Sequence, residues 1–209
     1  MLNVGWNLRE SSHTVNGDTA SLIVESAADA IRREPASYHE VLDDLPAALY
    51  VADVEGTVTY FNKACITLAG RTPEVGRDKW CVTWRIYTEA GAFVPHDQCP
   101  MAVAIREKRA VRNVEAVAER PDGTLVHFIP YPTPLFDDDG NFSGAVNLLL
   151  DVTEQRKPEY LRDQAANCRR LAVSIDDRNI SETLQLMAVK YDEQSLRHGR
   201  VEVEHKVPN

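Results

Sequence analysis

Residues 144–153, GAVNLLLDVT, constrain the fold more than any other stretch of the chain. At the two-residue period of a strand, Val146, Leu148, Leu150 and Val152 share one face, and all four are apolar. The other face carries Ala145, Asn147, Leu149 and Asp151, a mixed set. One side should therefore seal a core while the other meets something partly polar. Neither Gly nor Pro interrupts the run, so the strand belongs inside a sheet rather than on its rim. It leads directly into Asp151-Val152-Thr153-Glu154. There Asp151 or Thr153 is placed to cap a helix, and Glu154 puts negative charge near its N-terminus. Asp151 and Thr153 thus mark the expected mechanical junction between sheet and tail.

A chain of 209 residues buries one ordinary core and carries further elements besides. Its apolar content of 44% and charged content of 26% are those of a soluble globular protein. No apolar run approaches the roughly 20 residues that cross a bilayer. The start, MLNVGWNLRESSH, lacks the basic and apolar segments of a secretory signal. Cys65, Cys81, Cys99 and Cys168 form no CxxC pair, which favours reduced thiols in a cytoplasm. The net charge of -9 sits mainly in the first 157 residues, so binding to nucleic acid or to an anionic membrane is not expected.

In chain order, residues 1–20 read as a loose tail. Leu22, Ile23, Ala27, Ala28 and Ile31 then recur at near-helical spacing up to Pro35. That stripe suits packing on its own domain or a dimer contact equally well. A short helix over 36–45, a strand over 48–52, an Asp-Val-Glu-Gly turn and a strand over 57–61 follow. Asn62 caps a helix that Gly70 ends. Residues 71–98 read as irregular but carry Trp80, Trp84, Ile86, Tyr87 and Phe93, which should line or lid a cavity. Pro100 opens a helix to about Lys108 whose inward face holds Met101, Ala102, Ala104 and Ile105. Strands over 111–120 and 124–131 flank a Pro-Asp-Gly turn. Pro130, Pro132 and Pro134 then leave one flank of the second strand without donors. After Pro158 the spacing predicts a helical hairpin over 158–198, with a frayed end over 199–209.

Three motifs, in order, resemble the PAS domain. LDDLPAALYVADVEGTVTYFNKA (42–64) is similar to its opening, and CPMAVAIREKRAVRN (99–113) to the long helix of a subset found in bacterial sensors. ERPDGTLVHFIPYPTPLFDDDGNFSGAVNLLLDVTEQRK (119–157) is similar to its close. The resemblance implies an α+β fold: a five-stranded antiparallel sheet with helices on one face, enclosing a small cavity. The expected organisation is a tail and amphipathic helix over 1–35, a PAS domain over 36–157, the hairpin and the frayed end.

The resemblance also implies sensing or protein–protein signalling. Flavin-binding light sensors of this family carry a reactive Cys in G-x-N-C-R-F-L-Q. Here 76–84 reads GRDKWCVTW, without the Asn, Arg and Leu-Gln, so Cys81 reads as a buried thiol. Haem-binding members use a His on the long helix, which has none; His96 precedes it and His127 lies on a strand. His96 and Cys99 make an H-x-x-C pair too sparse for a metal site. No resident cofactor, haem or flavin, and no metal is therefore expected. GxSxG, HExxH and phosphate-loop motifs are missing, so a non-enzymatic role is expected. The expected ligand cavity comprises Trp80, Trp84, Tyr87, Met101, Ile105, His127, Tyr131 and Asn147. The expected function is cytoplasmic sensing of a small ligand or partner, relayed through the last strand into the C-terminal helices. That fits two-component signalling or transcription regulation, with a homodimer through the N-terminal helix and a sensor kinase or regulator as partner. The rival readings are a ligand-free dimerising adaptor and a haem- or flavin-bearing sensor.

Overall fold

The computed structural model describes residues 14–33 and 38–205. The tail expected before residue 14, the Pro35 stop and residues 206–209 lie outside them. The chain divides into two compact units on either side of Asp151/Val152.

The first unit begins with α1 (Thr14–Arg33) and α2 (Tyr38–Leu42), followed by β1 (Ala48–Ala52), β2 (Val58–Phe61) and α3 (Lys63–Ala69). Next come β3 (Arg85–Thr88), β4 (Phe93–Val94), a 3-10 turn (His96–Gln98) and α4 (Pro100–Glu107). The unit closes with β5 (Ala116–Glu119), β6 (Leu125–Phe136) and β7 (Phe142–Asp151). The strands form one antiparallel sheet ordered β2-β1-β7-β6-β5-β3-β4. The last strand lies inside it, between β1 and β6, as its uninterrupted apolar pattern requires.

The sheet has seven strands rather than the expected five. The extra pair, β3 and β4, lies in the segment expected to be irregular. There Gly91, at φ 83°, turns the chain between them, and the hairpin is too short to show a period-two pattern. Helix α1 begins at Thr14, inside the expected tail, because nothing between Thr14 and Ser21 stops a helix.

Gly144 opens β7 at φ 139°, where a Cβ would lie 2.2 Å from the Ala52 carbonyl oxygen. Only glycine lets β7 approach β1 at the Ala52–Ala145 pair. The three prolines of β6 sit where the expected unpaired flank is real. β5 pairs only with residues 125–128, and the Pro132 carbonyl points away from β7 to accept from Val111 N–H at 3.2 Å. Arg112 closes that flank, donating to Pro132 O at 2.9 Å and to Thr133 Oγ1 at 2.8 Å.

Both faces of the sheet are covered: the inserted helices α3 and α4 lie together on one, as expected, and the N-terminal α1 and α2 on the other. On one face, Ala48, Tyr50, Ala52, Phe128, Ala145 and Leu149 share a core with Cys65 and Leu68 of α3 and with Met101, Ala102 and Ile105 of α4. On the other, Leu49, Val51, Tyr131, Val146 and Leu148 pack against Ala20, Val24 and Ala27 of α1 and Leu42 of α2. The apolar stripe of α1 is thus spent on its own domain, while Leu22 points outward at 64% exposure.

Asn62 ties the entry of the domain together. Fully buried, it accepts from Leu49 N–H at 3.0 Å and Cys65 N–H at 3.3 Å. It donates to the carbonyls of Leu42 (3.2 Å), Leu45 (3.4 Å) and Ala47 (2.9 Å). One side chain therefore caps α3 and satisfies the chain end leaving α2.

In the second unit, α5 (Thr153–Arg156) is followed by an extended Lys157, then α6 (Pro158–Ser174) and α7 (Arg178–His205). The residue at the N-cap position is Val152, not Asp151 or Thr153. The hairpin buries Ala165, Cys168 and Ala188 against Leu184 and Tyr191. An Arg169–Asp192 ion pair and the Ser181 hydroxyl, donating to Ala172 O at 2.8 Å, link its arms. Helix α7 continues past the expected end at 198, because Gly199 costs helix stability without supplying a stop.

Candidate functional site

The face under α3 and α4 holds a small polar cluster within an otherwise apolar core. β1 contributes Tyr50, β7 contributes Asn147, the 71–84 segment contributes Trp80, Cys81 and Thr83, and the start of α4 contributes Cys99. The Tyr50 hydroxyl donates to Trp80 O at 2.9 Å, and Asn147 Nδ2 donates to the Tyr50 hydroxyl at 3.1 Å. Asn147 Oδ1 accepts from Tyr131 N–H on β6 at 3.0 Å. Cys81 Sγ lies 3.2 Å from Thr83 Oγ1, and Cys99 Sγ lies 3.6 Å from Trp80 O.

Trp80 holds this cluster in place under strain. Its φ of 68° is left-handed, a region a bulky residue rarely occupies. Trp80 N–H donates to Gly56 O at 2.7 Å, and Cys81 N–H to Lys79 O at 2.8 Å. The indole covers Gly56 so closely that a Cβ there would lie 2.2 Å from the ring. Upstream, Arg71 pairs with Asp78, which also accepts from Glu74 N–H at 2.9 Å, fixing the approach to Trp80.

Burial and neighbours separate the acidities of these groups. Burial drives the Tyr50 phenol well above its ordinary range. The neighbouring Cys99 is the largest cause that pushes Cys81 down to about 5, with His96 adding in the same direction against the cost of burial. Cys99 itself is pushed well up, by burial first and by Cys81 second. Cys65 stands apart, raised to about 12 by burial, its thiol donating to Leu49 O at 3.2 Å.

The structure does not bring the eight expected cavity residues together. Met101, Ile105 and Asn147, with Trp80 packed at its margin, belong to the face under α3 and α4. Strand alternation sends Tyr87, His127 and Tyr131 to the opposite face. There the Tyr87 hydroxyl donates to Glu119 at 2.6 Å, His127 Nδ1 lies 3.6 Å from Glu115, and Arg112 stacks over Tyr131 at 5.6 Å. Trp84 is 51% exposed and lines nothing. The error came from grouping large side chains by segment rather than by strand parity. Tyr50 was missed, and its only signal was a hydroxyl in an otherwise apolar strand.

On the face under α3 and α4, Tyr50, Met101, Phe128 and Leu149 are at 2% exposure or less. The Asn147 amide and the Tyr50 hydroxyl are bonded to each other. His127 lies on the wrong face for a haem held by α4, and no group of three or more metal-ligating side chains occurs among the described residues. Nor is any described helix long and apolar enough to cross a membrane.

The chain belongs to the PAS domain family, whose profile matches residues 46–154. A curated relative, the uncharacterised protein y4lL of Sinorhizobium fredii (strain NBRC 101917 / NGR234), is 25% identical over 137 residues. That match covers 64% of this chain but only 16% of the relative, so the chain spans about a sixth of its length. Similar solved structures include an RNA-binding light-oxygen-voltage receptor, with 25% identity, a TM-score of 0.44, and coverage of 58% of this chain and 34% of that one. Another is the light-oxygen-voltage domain of a blue-light activated histidine kinase from Erythrobacter litoralis EL346, with 23% identity, a TM-score of 0.41, and coverage of 52% and 98%.

Proposed function

We propose that this chain is a sensory module without catalytic output of its own. It receives a signal at the Trp80–Cys81 segment and relays it along β7 toward the helices beyond Asp151. One observation carries the reading: Asn147, on β7 itself, is bonded into the network that holds Trp80. Its Nδ2 reaches the Tyr50 hydroxyl that holds Trp80 O, and its Oδ1 holds Tyr131 N–H beside it in the sheet. A displacement at Trp80 therefore changes a hydrogen bond on the strand that runs into the tail. Such a relay works only if the signal favours one of two arrangements, typically by about 1–3 kcal/mol. The route is cytoplasmic signalling to a kinase or regulator, with which the helices beyond Asp151 engage.

The test is hydrogen–deuterium exchange on the full chain carrying Asn147→Leu. Exchange over 151–157 should rise, while residues 20–31 of α1 keep their protection. An unchanged junction overturns the relay.

A second reading, pairing through α1, is favoured by an apolar groove of about 310 Å³ lined by Leu22, Ile23, Ala27, Ala30, Leu42 and Leu45. Its occupant would be the same face of a second copy. Leu22→Glu should convert a dimer to a monomer on a sizing column, and an unchanged elution volume would remove the idea.

A further inference from the structure

We propose that the α6–α7 hairpin is a self-association module: the face carrying Tyr160, Leu171, Ile180 and Met187 packs against the same face of a second copy, and the two hairpins complete a four-helix bundle. The inference stands apart from the Asn147 relay. It gives the helices beyond Asp151 a first partner, which is this chain itself.

The second unit needs more core than it holds. Residues 152–209 form one compact unit, shorter than the roughly 70 residues at which a single core begins to sustain itself. Its seam is built mostly from small side chains: Ala165 and Cys168 of α6 meet Ala188 of α7, with Leu184 and Tyr191 packed beside them. Meanwhile four large apolar side chains stand in solvent. Tyr160, Leu171, Ile180 and Met187 are between 39% and 50% exposed.

Those four share one side of the hairpin. Ser181 donates to Ala172 O and Ser195 to Pro158 O, so the two helices run antiparallel. At about 100° per residue, Tyr160 and Leu171 lie roughly a quarter-turn round α6 from its buried seam, and Ile180 and Met187 lie roughly a quarter-turn round α7 in the same rotational sense. Between antiparallel neighbours, equal rotation in one sense brings residues to one side. The Arg169–Asp192 ion pair shows this on the other side, where both partners are rotated the opposite way. The two sides differ in chemistry. One carries Arg162, Arg169 and Asp192. The other sets Gln164, Asn167, Thr183 and Gln194 between its apolar residues, with Lys190 at its border and no carboxylate. A partner recognised by charge would find little there to pair with. A second copy meets it without like-charge repulsion, offering the same apolar side chains and amides that hydrogen-bond to one another. Such pairing is isologous, and four helices around a shared core form a standard bundle. The charged side stays outside, open to other molecules.

Light scattering behind a sizing column reads the mass of the full chain in the Leu22→Glu background, where pairing through α1 is removed. That chain should be a dimer. Adding Met187→Glu or Leu171→Glu should give a monomer. Val189→Glu, at a residue 52% exposed toward the charged side of the same helix, should leave the dimer whole. Far-ultraviolet circular dichroism checks that each variant keeps its helix. If Met187→Glu disturbs folding, Met187→Gln, which keeps the side-chain length, should still weaken the dimer at least about tenfold. A Leu22→Glu chain that is monomeric up to its solubility limit overturns the proposal, and leaves the face to another protein. A dimer that survives both glutamates, or that Val189→Glu breaks as readily, overturns it too. None of these outcomes bears on the Asn147→Leu exchange test of the relay.

Discussion

Asn147 Nδ2 donates to the Tyr50 hydroxyl at 3.1 Å, joining β7 to β1 through their side chains on the face where α3 and α4 pack. Tyr50 is also the donor to Trp80 O, so its hydroxyl is both acceptor and donor in a buried chain. Tyr50→Phe removes that hydroxyl and leaves an amide donor and a carbonyl without it. The expected loss is about 1–3 kcal/mol by denaturant unfolding. Asn147→Leu should cost a similar amount. The double variant should lose less than the sum, because each single change strands the other's partner. Strict additivity would show that the two groups are not coupled.

Asn62 offers a sharper separation of roles. Asn62→Ala loses the α3 cap and three donated bonds together, and should cost more than the ordinary 0.5–2 kcal/mol of a cap, roughly 2–4 kcal/mol. Asn62→Asp keeps the accepting oxygen toward Leu49 and Cys65 but places a buried charge among the carbonyls of Leu42, Leu45 and Ala47. It should therefore destabilise as well. If thermal unfolding finds Asn62→Asp equal to wild type, the donated bonds carry no weight.

Asn62 and β7 also mark what the sequence alone could reveal. Both follow local rules: a polar residue before an apolar helix, and an apolar run with no breaker. The motifs quoted at the start led to the family and to the sheet's interior strand. The site was less legible because it depends on pairing. Trp80, Trp84 and Tyr87 lie within a few residues of one another, but the positive φ of Trp80 and the parity of β3 send them three different ways. Tyr50 and Cys99 gain their meaning only from contacts across the fold. No local pattern announces such contacts.

Gly56 and Gly123 have nearly the same backbone, φ 79° and 82°, but different surroundings. A methyl group on Gly123 would meet nothing within 4 Å, whereas Gly56 lies under the Trp80 indole. Gly123→Ala should therefore cost only the left-handed strain, about 1–2 kcal/mol. Gly56→Ala must also displace the indole, so it should lose more stability and change the tryptophan fluorescence. Equal losses with unchanged spectra would mean that the Trp80–Gly56 contact does not hold the segment.

The lowered acidity range of Cys81 gives the buried cluster a spectroscopic signature. The titratable groups set around it are Cys99, Tyr50, Cys65 and His96. With Cys81 pushed down to about 5, the folded chain should show thiolate ultraviolet absorbance at neutral pH that fades as pH falls through about 5. Cys81→Ser should abolish it. Cys99→Ala should move the midpoint upward, since Cys99 is the largest cause of the shift. The sign for stability follows from linkage. The folded value lies below the unfolded one, so Cys81 stabilises fully above the ordinary thiol range, and that contribution is lost as pH falls through about 5. Cys99, raised in the fold, works the other way, and only above the ordinary thiol range, where the unfolded chain gives up its proton. The margin of wild type over Cys81→Ser in thermal unfolding should accordingly shrink between neutral pH and pH 5. A margin constant across that window would mean that Cys81 is an ordinary buried thiol.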